Sequence, residues 1–347
     1  MRVFLTGHKG YVGTILVPML LEAGHELVGV DSDLYEQCTF GDEKAIQPIP
    51  EMRKDIRSIE TSDLEGFEAV IHLAGLSNDP LGDLNPESTM DINHAASVRL
   101  ARLAKEAGVK RFIFSSSCSN YGAAGESMIN EESELNPVTP YGISKVRVEE
   151  DVSKMADSDF SPVFPRSATV YGVSPRLRFD LVVNNLVAWA YTTGQVFLKS
   201  DGTAWRPLLH VSDMAHAFVA ILHAPCEAVH NQMFNIGQTE ENYRIRDVAD
   251  IVGETVPGSR VKYADGAEAD QRCYKVDCSK LPQRVPEFKP QWTVRKGAEE
   301  LYAAFQKEGL TLEDFEGNRY KRVAHIKHLI SSGRLDETLR WKGTESD

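Results

Sequence analysis

The chain has 347 residues, enough for one large domain or two and for a sizeable buried core. Hydrophobic residues make up 42% and charged residues 26%, which excludes disorder, collagen and coiled coil as descriptions of the whole. Lys+Arg is 38 against Asp+Glu 51, a net charge of −13 without a basic stripe, so nucleic acid and membrane are not expected as partners and a polyanionic ligand must be met by a few placed arginines.

In chain order the predicted elements alternate. Arg2–Thr6 reads as a strand, three glycines follow, and residues 14–23 read as a helix stopped by Gly24. Glu26–Val30 is a second strand and Ala69–Leu73 a third. His94–Ala107 has helical periodicity, Arg111–Ser115 is a strand, Tyr141–Ala156 is helical, and the stretch from Ser161 to Val170 begins as a strand. This order predicts a parallel sheet covered on both faces. After about Tyr171 the regularity fades into loops at 174–179, 199–207 and 264–272, with helical stretches between them. A helix-like stretch at Tyr320–Ser331 precedes a polar, frayed end. The fold class expected is therefore α/β: a Rossmann-type doubly wound parallel sheet with a smaller, mixed α/β C-terminal substrate lobe. Residues 1–170, with some later segments returning, would form the first domain and 171–347 the lobe and tail.

The five cysteines, Cys38, Cys118, Cys226, Cys273 and Cys278, are scattered and without metal-ligand spacing, which reads as a reducing compartment. No apolar run approaches the length of a membrane span, and the N-terminus breaks into glycines too soon for a signal peptide, so a cytoplasmic protein is expected. His325 and His328 have metal-compatible spacing but no third ligand, so no metal is expected there and a solvated helix face is. His72 reads as a packed core residue.

Gly7, Gly10 and Gly13 sit between the first strand and the first helix, where residues without Cβ let a backbone approach a pyrophosphate at a helix N-terminus. Asp31 closes the second strand, where a carboxylate accepts hydrogen bonds from a ribose diol and repels a 2′-phosphate. NAD is favoured over NADP. Serines 115–117 follow the Arg111 strand, and Tyr141 and Lys145, four apart, share one helix face. A phenol normally titrates near about 10. A neighbouring ammonium, with the positive charge of a nicotinamide, would lower it, so that Tyr141 could take a proton from a sugar hydroxyl while Ser117 holds the same oxygen.

Together GHKGYVG at 7–13, Asp31, HLAGLS at 72–77, FSSSCSNYG at 114–122, YGISK at 141–145, WRPLLHVSD at 205–213 and FNIG at 234–237 resemble the extended short-chain dehydrogenase/reductase family, in its nucleotide-sugar epimerase and dehydratase group. The resemblance covers roughly residues 1–305. It implies a catalytic set of Ser117, Tyr141 and Lys145. It implies that Gly7, Gly10, Tyr11, Val12 and Gly13 hold the cofactor's pyrophosphate, Asp31 its ribose, and Asp55 with Ile56 its adenine. Leu73 and Ala74 would lie toward the nicotinamide, with Tyr141 and Lys145 on its ribose, and Asn93 would also bind the cofactor. A nucleoside-diphosphate sugar would be met by Ser117, Ser119 and the pair Asn184 and Asn185, Asn184 foremost, with Arg206 and Arg272 as diphosphate forks. It also implies a homodimer through the helices near 94–107 and 141–155.

Dehydratases and decarboxylases of this group carry an acidic residue directly after the catalytic serine or threonine. Here Cys118 and Ser119 follow Ser117, and neither replaces a carboxylate. Cys118 reads as a buried structural thiol rather than an acid. The residues fit a 4-epimerase best, and they also permit a 4-ketoreductase using free NAD(P)H. A 4,6-dehydratase and a non-catalytic NAD-binding regulator rank below both. Thr169, where the group usually has Asn, and His8-Lys9 in the glycine turn depart from the pattern.

Overall fold

The computed structural model describes residues 1–267 and 273–343. Its strands β1 (Arg2–Thr6), β2 (Glu26–Asp31), β3 (Glu51–Arg53), β4 (Ala69–His72), β5 (Arg111–Phe114), β6 (Ser161–Ser167) and β7 (Gln232–Ile236) form one sheet in the order β7-β6-β5-β4-β1-β2-β3. Every neighbouring pair is parallel. The short strand Ser116–Ser117 extends the sheet along β6. All of β4 and β6 is buried, because helices cover both faces and neither strand needs a polar side. Side chains still sort by the two-residue period. Val3, Leu5, Ile71 and Ile113 pack with α1 (Gly13–Glu22) and a helix at Val211–His223 on one face. Phe4, Val70 and Phe112 pack with α2 (Ala96–Glu106) and α3 (Pro140–Ser153) on the other. Residues 211–236 thus return to the first sheet.

The helices begin within a few residues of expectation. At α2, Met90–Ala95 forms a wider π-type turn before the α-helix starts. The loop expected at 199–207 ends early, because Trp205–His210 is a strand. It pairs in parallel with Thr169–Tyr171 and antiparallel with Asn242–Arg244. A second apolar cluster, built from Phe179, Leu186, Leu301 and Phe305, holds α4 (Val182–Thr193) against α5 (Val294–Glu308) in the smaller lobe.

The tail differs most from expectation. Helix α6 (Arg322–Ser331) is solvated along one side only: His328 is exposed, as expected, and His325 is not. His325 is buried and its Nε2 lies 3.0 Å from the Leu34 carbonyl. Ile326, Leu329, Leu335 and Leu339 pack onto Ile56, Leu76 and Ile92. No group of three or more potential metal ligands occurs among the described residues. No helix there is long and apolar enough to cross a membrane.

Candidate active site

Strand order diverges at β1, which lies between β2 and β4, and the crevice beyond carboxyl ends at such a point is where open α/β sheets take ligands. A cleft of about 880 Å³ opens there, running from the glycine turn past Ser117, Tyr141 and Lys145 to Arg206.

The turn itself has the form a pyrophosphate requires. Gly7 has φ +76°, and a Cβ there would stand 2.8 Å from the Ala74 amide nitrogen. A Cβ on Gly13 would stand 2.2 Å from the Gly7 carbonyl oxygen. The cradle therefore exists only while both positions lack side chains. Gly10, Tyr11 and Val12 line the same end. Within the turn, His8 and Lys9, which depart from the pattern of the resemblance, are explained by packing. The His8 ring lies against Gly29, where a Cβ would collide with it, and its Nε2 is 2.9 Å from Glu51. Lys9 bridges Asp33 at 3.0 Å and Glu51 at 2.8 Å. Asp31 accepts the Lys9 amide on one oxygen and the Asp33 amide on the other, which fixes the carboxylate and leaves further lone pairs for a diol. These features fit a dinucleotide with an unphosphorylated ribose.

Asp55 and Ile56 line the adjacent wall, with Asp55 held by three hydrogen bonds from Arg57. Leu73 and Ala74 also face the cleft, and the Ala74 amide donates to Thr6 Oγ1. Asn93 does not line it. Its amide is spent on both backbone groups of Leu76, at 2.7 and 2.9 Å, so it shapes the strand end from behind. His72 is buried between Thr6 and Ser97, and burial lowers it to about 3, so it stays neutral and structural.

Ser117, Ser119, Tyr141 and Lys145 converge on the middle of the cleft. Thr139 caps α3 by accepting the Gly142 amide, and Pro140 starts the helix, which presents Tyr141 on its first turn. The Ser117 hydroxyl accepts the Ser119 amide at 3.1 Å and reaches the Tyr141 phenol. Burial pushes Tyr141 up to about 12, opposed by Ser117 and reinforced by the Asp79 charge. Desolvation thus outweighs the protein's own groups around the phenol, and the lowering expected there rests on the nicotinamide's charge as well as on the ammonium.

Lys145 is buried, donates to the Ser115 carbonyl at 2.7 Å, and has Nζ 5.6 Å from the Tyr141 ring centroid. Burial lowers it to about 7, with Glu149 opposing. Between that value and the ordinary lysine range near about 10.4, the unfolded chain holds a proton that the folded one has lost, so this group makes stability rise with pH. Denaturant titrations at pH 7 to 10 should therefore show a steeper rise for the native chain than for Lys145→Met. Equal slopes would mean that Lys145 keeps its proton in the fold.

Cys118 is buried and its thiol donates to the Arg166 carbonyl at 3.2 Å; burial pushes it far above the usual thiol range, so it is structural and no acid. Arg206 is buried, lines the far end, and lies 5.5 Å from the Tyr274 ring. Arg272 lies outside the described residues. Of the two asparagines expected at the sugar nucleotide, Asn184 does not reach the cleft. It is fully buried, its amide is spent on Gly172, Arg178 and Tyr11, and its neighbour Asn185 lines the cleft instead. Helical phase decides this, since the two side chains point about 100° apart.

Three residues escaped sequence reasoning. Asp79, at the start of a short helix, lines the cleft and accepts Thr139 Oγ1 at 2.6 Å. Arg178 and Arg322 also line it, from the loop before α4 and from the tail. The loop motif SPRLRFD carried a signal, two arginines beside an aspartate, but no pattern linked Asp79 or Arg322 to the site.

An open parallel sheet, a glycine cradle at its reversal point and a Ser, Tyr, Lys set beside it define a dinucleotide-dependent enzyme of the extended short-chain dehydrogenase/reductase type. The chain belongs to the NAD dependent epimerase/dehydratase family, which matches residues 3–237, and its cofactor is NAD. It is 26% identical over 334 residues to the UDP-glucose 4-epimerase of Bacillus subtilis, covering 87% of this chain and 95% of that one. Among solved structures it resembles MoeE5 in complex with UDP-glucuronic acid and NAD, at 26% identity and TM-score 0.74 over 88% of this chain and 99% of that one. In fold it also resembles TunA, an NAD dependent NDP-hexosamine 5,6-dehydratase, at 24% identity and TM-score 0.77 over 88% of this chain and 98% of that one.

Proposed function

We propose that the protein is a nucleotide-sugar 4-epimerase that works through a transient 4-keto sugar. The observation that carries this reading is the convergence of Ser117, Tyr141 and Lys145 in one cleft with the glycine cradle and Arg206. In this reading Gly7, Gly10, Tyr11, Val12 and Gly13 hold the pyrophosphate, Asp31 the ribose, and Asp55 and Ile56 the adenine. NAD supplies, when bound, a hydride acceptor and donor and a positive charge beside Tyr141. Tyr141 takes the proton from the sugar 4-hydroxyl as the carbonyl forms, and returns it when the alcohol is restored. Ser117 holds that oxygen in both steps. Lys145 orients the site through Ser115 and adds charge while protonated. Arg206 meets the sugar nucleotide's diphosphate, and Tyr274 beside it closes that end.

The position after Ser117 supports epimerisation, since Cys118 is buried and Ser119 is neutral. Dehydration has one observation in its favour, the Asp79 carboxylate on the same cleft wall. A homodimer through α2 and α3, expected from the resemblance, belongs to the same proposal, and sedimentation velocity reads it.

The deciding experiment denatures the purified protein and identifies the nucleotide released. UDP-hexoses are then offered as 4-epimer pairs, because the curated relatives matched include UDP-glucose 4-epimerases. About one NAD per chain and interconversion of a pair is the expected result. An empty chain that consumes added NADH or NADPH when offered a nucleotide 4-keto-sugar would make it a one-way reductase, and a product lighter by water would make it a dehydratase.

A further inference from the structure

The tail beyond residue 311 is fastened along one rim of the cleft. Trp341 Nε1 donates to the Ser32 carbonyl at 2.6 Å, His325 lies on the Leu34 carbonyl, and Arg334 pairs with Glu36 at 2.9 Å. Arg57, which holds Asp55, also donates to the Thr338 carbonyl at 2.9 Å. The tail thus grips both the loop after Asp31 and the turn that carries Asp55.

Arg322 opens α6 and points the opposite way from a surface arginine. It is only 2% exposed and lines the cleft. Its guanidinium lies 3.9 Å from the Tyr35 ring centroid, and Nη2 donates to the Arg176 carbonyl at 2.8 Å. Nη1 has no hydrogen-bond partner among the described residues. The Cys38 thiol beside it is a weak acceptor. The nearby carboxylate, Asp180, is taken by Arg178, through Nε at 3.1 Å and Nη2 at 2.8 Å, and by Asn78. Arg178, Asp180 and Arg322 therefore leave one positive charge in excess on a buried wall. A guanidinium cannot shed its proton, and a buried charge without a partner is costly. The arrangement calls for an anion.

The position says which anion. Arg178 lies 5.9 Å from the ring of Tyr11, a member of the glycine turn, and Tyr35 follows Asp31 by four residues. Arg206 is elsewhere, beside Tyr274. We propose that Arg322, with Arg178, forms a clamp for the cofactor's diphosphate, opposing the glycine turn, and that the C-terminal segment holding Arg322 is a strap that keeps the cofactor from exchanging. The proposal rests on the reading of this cleft as the NAD site. It gives the tail a role in retention rather than in chemistry: a recycled cofactor benefits from being locked in, and a consumed one does not.

The test compares native protein with Arg322→Met and Arg322→Lys, all full length and stripped of nucleotide. Affinities for NAD, ADP-ribose, adenosine and UDP are measured, with the rate of NAD loss and the melting temperature without ligand. Arg322→Met should weaken NAD and ADP-ribose by about 10- to 100-fold, the range for charge-assisted hydrogen bonds, and speed NAD loss to match. Adenosine and UDP should be unaffected, Arg322→Lys should fall between, and the ligand-free melting temperature should hold or rise because an unpaired buried charge has gone. Loss of UDP rather than NAD would overturn the assignment in favour of the sugar nucleotide. Equal losses for all four ligands with a lower melting temperature would reduce Arg322 to a structural residue. If Arg322→Met does not fold, unaltered NAD retention in Arg322→Lys overturns the clamp. A native chain that binds neither NAD nor ADP-ribose would refute the reading of the cleft itself, before any variant is considered.

Discussion

Tyr141→Phe should lower kcat by about 10²- to 10⁴-fold, the range removed with a positioned acid–base group, while NAD retention changes less than about twofold. The substitution deletes one hydroxyl and keeps the ring that packs at the start of α3. That hydroxyl has the Ser117 side chain within reach and Lys145 Nζ 5.6 Å from the ring centroid. Because burial holds the phenol up at about 12 and lowers Lys145 to about 7, its activation at alkaline pH depends on the nicotinamide's positive charge, and the native rate should rise with pH over that range. The variant's residual rate should lose that rise. Steady-state assays on a 4-epimer pair read the first effect and a pH–rate profile reads the second. Turnover within tenfold of the native enzyme would mean that another group carries the proton, and Asp79 would be the first to substitute.

The elements legible in the sequence are those whose cause is local. Three glycines between a strand and a helix, and a Tyr and a Lys four residues apart on one helix face, state their geometry within a dozen residues, and the structure has them within one cleft. What was not legible depends on partners distant in the chain. Arg322 is separated by 146 residues from the carbonyl it binds, and Thr139 by 60 from Asp79. The tail's histidine spacing suggested an open helix face because periodicity reports only that a side is apolar, and the residues that cover His325 and Arg322 come from the loop after β2. Asn184 and Asn185 show the same limit at the scale of one residue. Either amide suits a sugar, and only the packing of α4 decides which one is free to face it.

The largest loss of stability should follow from Glu149→Gln. Glu149 and Arg166 are both almost fully buried, with Arg166 Nη2 donating to Glu149 Oε2 at 2.6 Å and Nε to Oε1 at 3.0 Å. Glu149 Oε1 also accepts Ser116 Oγ at 2.5 Å and Asn120 Nδ2 at 2.9 Å. One carboxylate thus joins α3, the carboxyl end of the sheet and the turn after Ser117, four residues along the helix from Lys145. The glutamine keeps the shape and removes the charge, so Arg166 is left ionised without a counter-charge and one acceptor becomes a donor facing other donors. Breaking a buried pair from one side is expected to cost about 3–5 kcal/mol, which denaturant unfolding would show as a lower midpoint at unchanged slope. The pair itself need not be favourable over an apolar core, so Glu149→Gln/Arg166→Met should recover part of the loss, a non-additivity that follows from direct contact. Activity should not recover with it. The carboxylate fixes Ser116 and Asn120 on either side of Ser117, and an apolar replacement restores cohesion without restoring those hydrogen bonds. A double variant as active as the native chain would mean that Ser117 and Lys145 are held by the backbone alone.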